Sequence, residues 1–215
     1  MAAPSVTIGV LALQGAFREH LRALSEFEGV SALPVRTKEQ LATVDALVIP
    51  GGESTTMGLV AERSGLLEEL RAMTRARQKP VFATCAGLIM LAQRAQHEKT
   101  GGQPLLGGLD VVVDRNFFGT QLQSFEATMD VRLPGDEAAS TCHAVFIRAP
   151  AILEVGIRVE VLATLPVDKS PRPLEKPCIV AARQGPFLVT AFHPELTADR
   201  RWHAYFVDQV RATKG

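Results

Sequence analysis

Cysteine is scarce in this 215-residue chain, which has only Cys85, Cys142 and Cys178. Three widely spaced thiols form neither a disulfide framework nor a recognisable zinc-ligand spacing, so at least one is unpaired within the chain. An excess of charge of either sign is missing too, because 23 Lys and Arg balance 23 Asp and Glu. With no basic surplus to hold a phosphate backbone or an anionic bilayer, no nucleic acid and no membrane is expected as a partner. No apolar run approaches the roughly 20 residues that cross a bilayer, and Met1–Ser5 lacks the marks of a secretory signal. A soluble, cytoplasmic protein is expected. The phosphate-loop pattern Gly-x-x-x-x-Gly-Lys-Ser/Thr and the pattern Gly-x-Gly-x-x-Gly are both absent, which sets nucleotide binding aside. His20, His97, His143 and His203 have no adjacent ligand set, so neither a metal nor another cofactor is expected.

What is present is enough apolar sequence, 47% of residues, to bury one substantial core, and residues 1–215 read as a single domain. Val6–Leu13 reads as a strand, ended by Gln14-Gly15 before the helical pattern Phe17, Leu21, Leu24. Ala46–Ile49 repeats the plan as a strand covered on both faces. Pro50-Gly51-Gly52 breaks that strand, and Ser54 or Thr55 is placed to cap the next helix. After a helix through Leu66, Leu67 and Leu70, the short strand Val81–Ala83 runs into Cys85-Ala86-Gly87 and a helix over Leu88–Leu91. From Leu109 onward the segments Val111–Val113, Ser124–Leu133, Ala144–Ile147, Val159–Ala163, Ile179–Ala182 and Phe187–Phe192 read as strands, several of them antiparallel. Asp199–Val210 is a closing helix, and the proline-rich Pro166–Pro177 an exposed loop. Strands alternating with helices predict a three-layer α/β fold with a mostly parallel sheet.

Three segments carry chemistry. Cys85 stands where a buried strand turns abruptly into a helix, with Ala83 and Gly87 on either side, which is the geometry of a nucleophile elbow. The helix N-terminus favours a thiolate, and the Ala86 N–H faces a developing oxyanion. Taken alone, Cys85 reads as readily as a small buried hydrophobe. His193-Pro194-Glu195 follows an apolar run, and in an extended chain residues i and i+2 share a side, so Glu195 is placed to fix the tautomer of His193. Pro50-Gly51-Gly52-Glu53-Ser54 lets the backbone approach a ligand, with the Gly52 N–H as second oxyanion donor.

In combination, Pro50–Met57, Thr84-Cys85-Ala86-Gly87 and His193–Thr197 resemble the class I glutamine amidotransferases, whose fold is flavodoxin-like. Within that class they resemble the family of glutaminase subunits of pyridoxal 5'-phosphate synthase. Gly9–Ala16, Arg115-Asn116, Ser124-Phe125-Glu126 and Phe146–Pro150 extend the likeness over nearly the whole chain. The resemblance implies hydrolysis of L-glutamine to glutamate and ammonia by Cys85, His193 and Glu195. It implies glutamine contacts at Gly52, Glu53, Ser54, Arg115, Ile147 and Arg148. It also implies a synthase subunit that takes the ammonia within a hetero-oligomeric complex and activates the glutaminase on docking, with the Gln14 region in the docking surface. Three features depart from the family pattern: Ala83 for a frequent glycine, Thr120 for a common arginine, and an inserted stretch at Pro166–Pro177. A glutaminase serving another synthase, an elbow-cysteine chaperone and an idle docking subunit are the alternatives. The His-Pro-Glu partner counts against the chaperone, and the retained catalytic residues count against the idle subunit.

Overall fold

The computed structural model describes residues 5–96, 102–119 and 124–214; Thr120 and His97 lie outside them. The first half alternates as the apolar pattern dictates. Strand β1 (Val6–Leu11) leads to helix α1 (Phe17–Leu24), then β2 (Val30–Val35), α2 (Lys38–Thr43) and β3 (Ala46–Ile49). Helices α3 (Ser54–Arg63) and α4 (Leu67–Ala76) follow, then β4 (Val81–Thr84) and α5 (Ala86–Leu91). The second half is mostly strand: β5 (Ala92–Gln96), β6 (Leu109–Asp114), β7 (Ser124–Val131), β8 (Ser140–Ile147), β9 (Ala151–Val155), β10 (Glu160–Leu165), β11 (Cys178–Gln184) and β12 (Phe187–Thr190). Helix α6 (Arg201–Ala212) closes the chain.

The strands β2-β1-β3-β4-β12 lie side by side and run parallel. Every residue of β3, β4 and β12 is buried, as expected for strands covered on both faces. On one face α1 and α6 meet over Phe82, whose ring lies 5.6 Å from those of His203 and Phe206. In another group, Lys38 of α2 pairs with Glu69 of α4, while α3 packs on α4 and α5. Beyond β12 the sheet continues antiparallel through β11, β10, β7 and β8, and β9 bridges β11 to β6. In a sheet of this kind ligands bind outside the carboxyl ends of the parallel strands, and the chain leaves β1, β3, β4 and β12 at that edge.

Three strands and a helix, β2, β5, β9 and α2, go beyond what the sequence pattern indicates. Strand β2 contains Pro34, which cannot donate to a ladder. It is tolerated because β2 is the edge strand, paired only with β1. The polar segment of β5 likewise pairs only with β6, so its exposed residues meet water. Helix α2 carries a capping box, with Thr37 and Gln40 satisfying each other's backbone N–H. The stretch Pro166–Pro177 is mostly exposed and holds one 3-10 turn at Val167–Lys169. Arg172 within it donates to the Phe117 carbonyl at 2.5 Å and stacks on the Phe117 ring.

Candidate active site

Cys85 joins β4 to α5 with φ 47° and ψ −103°, a conformation that typically costs a non-glycine residue ~1–3 kcal/mol. The surroundings impose it. The Cys85 N–H donates to the Thr190 carbonyl of β12 at 2.8 Å, and Thr84 is in register with Thr190. On the helix side, a Cβ on Gly87 would lie 2.2 Å from the Ile49 carbonyl oxygen, so α5 enters tightly against β3. Ala83 is fully buried between β3 and β12, so the alanine is accommodated. The sulfur is left 3.7 Å from the Ile147 carbonyl oxygen.

His193 arrives from β12, anchored by its N–H on the Val145 carbonyl at 2.9 Å. Its Nδ1 lies 2.7 Å from Glu195 Oε1, which leaves Nε2 as the nitrogen available to Cys85. The extended backbone expected over His193–Glu195 is not what forms. Pro194–Leu196 is a 3-10 turn, because the fixed φ of Pro194 suits the first position of a helical turn. Glu195 therefore reaches His193 from inside that turn. Burial opposes charge on His193, but the charge of Cys85 and its hydrogen bond, then those of Glu195, outweigh it and push the imidazole up to about 10. Burial would likewise raise the Glu195 carboxyl, yet His20, and then the hydrogen bond and charge of His193, hold it below its usual range.

The glycine loop after β3 closes the other side. A Cβ on Gly51 would fall 2.3 Å from His193 Cε1 and 3.2 Å from Cys85 Cβ, so only hydrogen fits there. The Gly51 carbonyl accepts from the Ala16 N–H at 3.0 Å, and Gln14 Oε1 accepts from the Glu53 N–H at 2.8 Å. The β1–α1 turn thus rests directly on the loop. The cap of α3 is Glu53, not Ser54 or Thr55: its carboxylate accepts from the Thr56 N–H at 2.7 Å and the Thr55 N–H at 3.4 Å. The two hydroxyls are engaged elsewhere. Both donate to Gln103, and both accept from Arg115 Nη2, which also pairs with Glu53 at 3.3 Å.

Gly52, Glu53, Ser54, Cys85, Arg115, Ile147, Arg148 and His193 all line one cleft of about 220 Å³. That is below the roughly 300–1,000 Å³ typical of drug-sized ligand sites, and suits a molecule of amino-acid size. Among the described residues Arg77, Cys85 and Arg148 are the non-glycines with positive φ, and two of these three line the cleft. Glu195 stands behind His193, and Ala86 is buried at the start of α5. Gly15, Ala16, Gly51, Ile89 and Asn116 also line the cleft; all but Ile89 fall within motifs of the sequence, and nothing in the local pattern marks Ile89. Among the described residues no cluster of metal-ligating side chains occurs, and no helix is long and apolar enough to cross a membrane.

This fold is that of the glutamine amidotransferases. A solved structure described as "Crystal structure of glutamine amidotransferase" is 43% identical, covers 94% of this chain and 98% of that one, and superposes with a TM-score of 0.79. The chain belongs to the SNO glutamine amidotransferase family, whose model matches residues 10–212. Among curated relatives, the pyridoxal 5'-phosphate synthase subunit PdxT of Acidothermus cellulolyticus is 55% identical over 95% of this chain and 94% of that protein. The protein of the same name from Parafrankia sp. is 52% identical over 100% of this chain and 97% of that one.

Proposed function

We propose that the chain, acting as one glutaminase domain over residues 1–215, hydrolyses L-glutamine and passes the ammonia to a pyridoxal 5'-phosphate synthase subunit in the cytoplasm. The observation that carries this reading is the convergence of Cys85, His193-Glu195 and the Gly51-Gly52 loop on one cleft of amino-acid size at the carboxyl edge of the parallel sheet. The names of the curated relatives support the synthase as the partner.

In the reaction, the Cys85 thiolate attacks the carboxamide carbon, and the carbonyl oxygen takes up the negative charge between the Gly52 and Ala86 N–H groups. His193 gives its proton to the amide nitrogen, the carbon–nitrogen bond breaks, and ammonia leaves a glutamyl thioester on Cys85. His193, now neutral, takes a proton from water. The hydroxide adds to the thioester, glutamate leaves, and the thiolate and imidazolium are restored. Arg115 and Arg148, with Glu53, Ser54 and Ile147, hold the amino-acid end of glutamine. Docking of the synthase acts on the oxyanion loop through the β1–α1 turn, a reading supported by the Ala16–Gly51 and Gln14–Glu53 hydrogen bonds.

The test is glutamate release by the purified chain, alone and with the synthase subunit, with Cys85→Ala as control. Release that rises strongly with the synthase and vanishes in Cys85→Ala, while the variant still binds the synthase, is the expected result. Full activity in Cys85→Ala sinks the mechanism; activity indifferent to the synthase moves the chain to another acceptor.

A further inference from the structure

The catalytic cycle uses one oxygen of Glu195, Oε1. The other, Oε2, lies 3.3 Å from Nε2 of His20, and both side chains are fully buried. His20 comes from α1. Its Nδ1 is 3.0 Å from Nε2 of His203 on α6, and its Nε2 is also 3.2 Å from the hydroxyl of Thr84, the residue before Cys85. Three elements, α1, α6 and the end of β4, therefore close on the rear of the catalytic group. None of these residues lines the cleft.

The protons on these rings follow by elimination. The Glu195 carboxylate can only accept. Burial holds His20 below its ordinary pKa against the pull of Glu195, with His193 adding to the fall and Glu19 opposing it. Burial, then His20, lower His203 to about 3, with Glu195 opposing and Arg200 assisting. Both rings are neutral, with one N–H each. If His20 carried its proton on Nδ1, its bare Nε2 would face a carboxylate oxygen in a dry interior, and His203 would be left with an N–H on Nδ1 that finds no acceptor. With the proton on Nε2, the His20 N–H faces both Thr84 Oγ1 at 3.2 Å and Glu195 Oε2 at 3.3 Å, and its Nδ1 accepts from His203 Nε2–H. The bare Nδ1 of His203 is then left without a partner, as in the structure, where Glu195 Oε2 makes no hydrogen bond of good geometry either and faces His20 Nε2 at 3.3 Å. A buried bare acceptor is tolerated more readily than a buried orphan N–H.

We propose that His20 is a positioning residue for the catalytic group and that His203 fixes its tautomer, so that His203 Nε2–H donates to His20 Nδ1 and the His20 Nε2–H is turned toward Glu195 Oε2. His193 Nδ1–H then holds Oε1 from the other side. No proton travels along this line; it is a fixed set of donors that keeps Glu195 ionised and aimed. Without His20, Oε2 loses the N–H that faces it in a dry interior, and the support Glu195 gives to imidazolium at His193 weakens.

The inference rests on the glutaminase reading for its kinetic test, so a second readout, independent of turnover, is included. The full-length chain carrying His20→Leu, His20→Gln, His20→Asn or His203→Leu is assayed for glutaminase kcat and KM with the synthase subunit present. Each is also assayed alone for the rate at which iodoacetamide alkylates Cys85 at pH 7, with Cys85→Ala as blank. Losing the N–H that faces a buried carboxylate predicts for His20→Leu a fall of about 10-fold to 100-fold in kcat and in alkylation rate, with KM little changed. Gln places its amide N–H where His places Nε2, so His20→Gln recovers most of the loss. Asn reaches toward His203 but not toward Glu195, so His20→Asn does not recover it. His203→Leu, which frees His20 to change tautomer, falls between. Unchanged kcat and alkylation in a folded His20→Leu overturn the proposal. Should that variant fail to fold, the pair decides: Gln above Asn supports it, and Asn equal to or above Gln overturns it. If wild type releases no glutamate but its alkylation rate follows the same order, the positioning role stands and the glutaminase reading falls.

Discussion

Gly51 and Gly87 are both closed to a β-carbon, yet for different partners. At Gly87 the obstacle is the Ile49 carbonyl oxygen at 2.2 Å, backbone of a buried strand that cannot move aside. At Gly51 it is the ring of His193 at 2.3 Å, with Cys85 Cβ at 3.2 Å. Overpacking a rigid interior typically costs about 1–3 kcal/mol, so Gly87→Ala is expected to lower the urea midpoint by that equivalent. Gly51→Ala meets a side chain that can swing, and swinging spoils the alignment of His193 with Cys85. Its expected signature is a denaturation midpoint near wild type with kcat down by roughly 10²-fold, the usual result of an ångström of misplacement. Equal losses of stability in the two variants would contradict this division. The sequence already marks both glycines by their neighbours, but which partner each one faces is a matter of chain segments far apart in sequence.

Among the elements, the parts legible in the sequence are those whose signal is local. The strand-to-helix turn at Cys85 announces itself by a short apolar run meeting a small-residue segment, and α6 by Trp202, Phe206, Val207 and Val210, which are buried as their spacing predicts. Strands β2 and β5 carry no such signal because an edge strand needs little burial. The cap of α3 falls one residue before Ser54 and two before Thr55, because these two spend their hydroxyls on Gln103 and Arg115, contacts 49 and 61 residues away for Ser54 alone. The loop Pro166–Pro177 also gains meaning only in three dimensions. Its Arg172 holds the turn that follows Arg115 and Asn116 by the Phe117 carbonyl and ring. Arg172→Ala is expected to raise KM for glutamine about twofold to fivefold, the equivalent of one exposed hydrogen bond, with kcat unchanged. A KM equal to wild type would make the loop inert toward the site.

At the scale of the whole molecule, α1 and α6 are joined behind the sheet by two imidazoles 183 residues apart in sequence, a distance no local pattern can bridge; the histidines therefore read as scattered. Their burial has a consequence for stability. His203 is lowered to about 3 in the folded chain, with burial the largest cause, whereas an unfolded histidine titrates near 6.5. The group is depressed on folding, so its contribution is present above pH 6.5 and is lost as pH falls from there toward 3. Between pH 7.5 and 5.5 the unfolded chain takes up a proton at this position that the folded chain refuses, a loss of about 1.4 kcal/mol. Groups that do not touch His203 act on wild type and on His203→Leu alike, and burial, the largest cause holding His20 below its ordinary pKa, persists in both, so the difference between the two reads this one. Urea denaturation at both pH values is expected to show wild type losing about 1.4 kcal/mol more than His203→Leu. Parallel losses would mean that the folded protein admits the proton, and with it that the ring is not the neutral donor His20 requires.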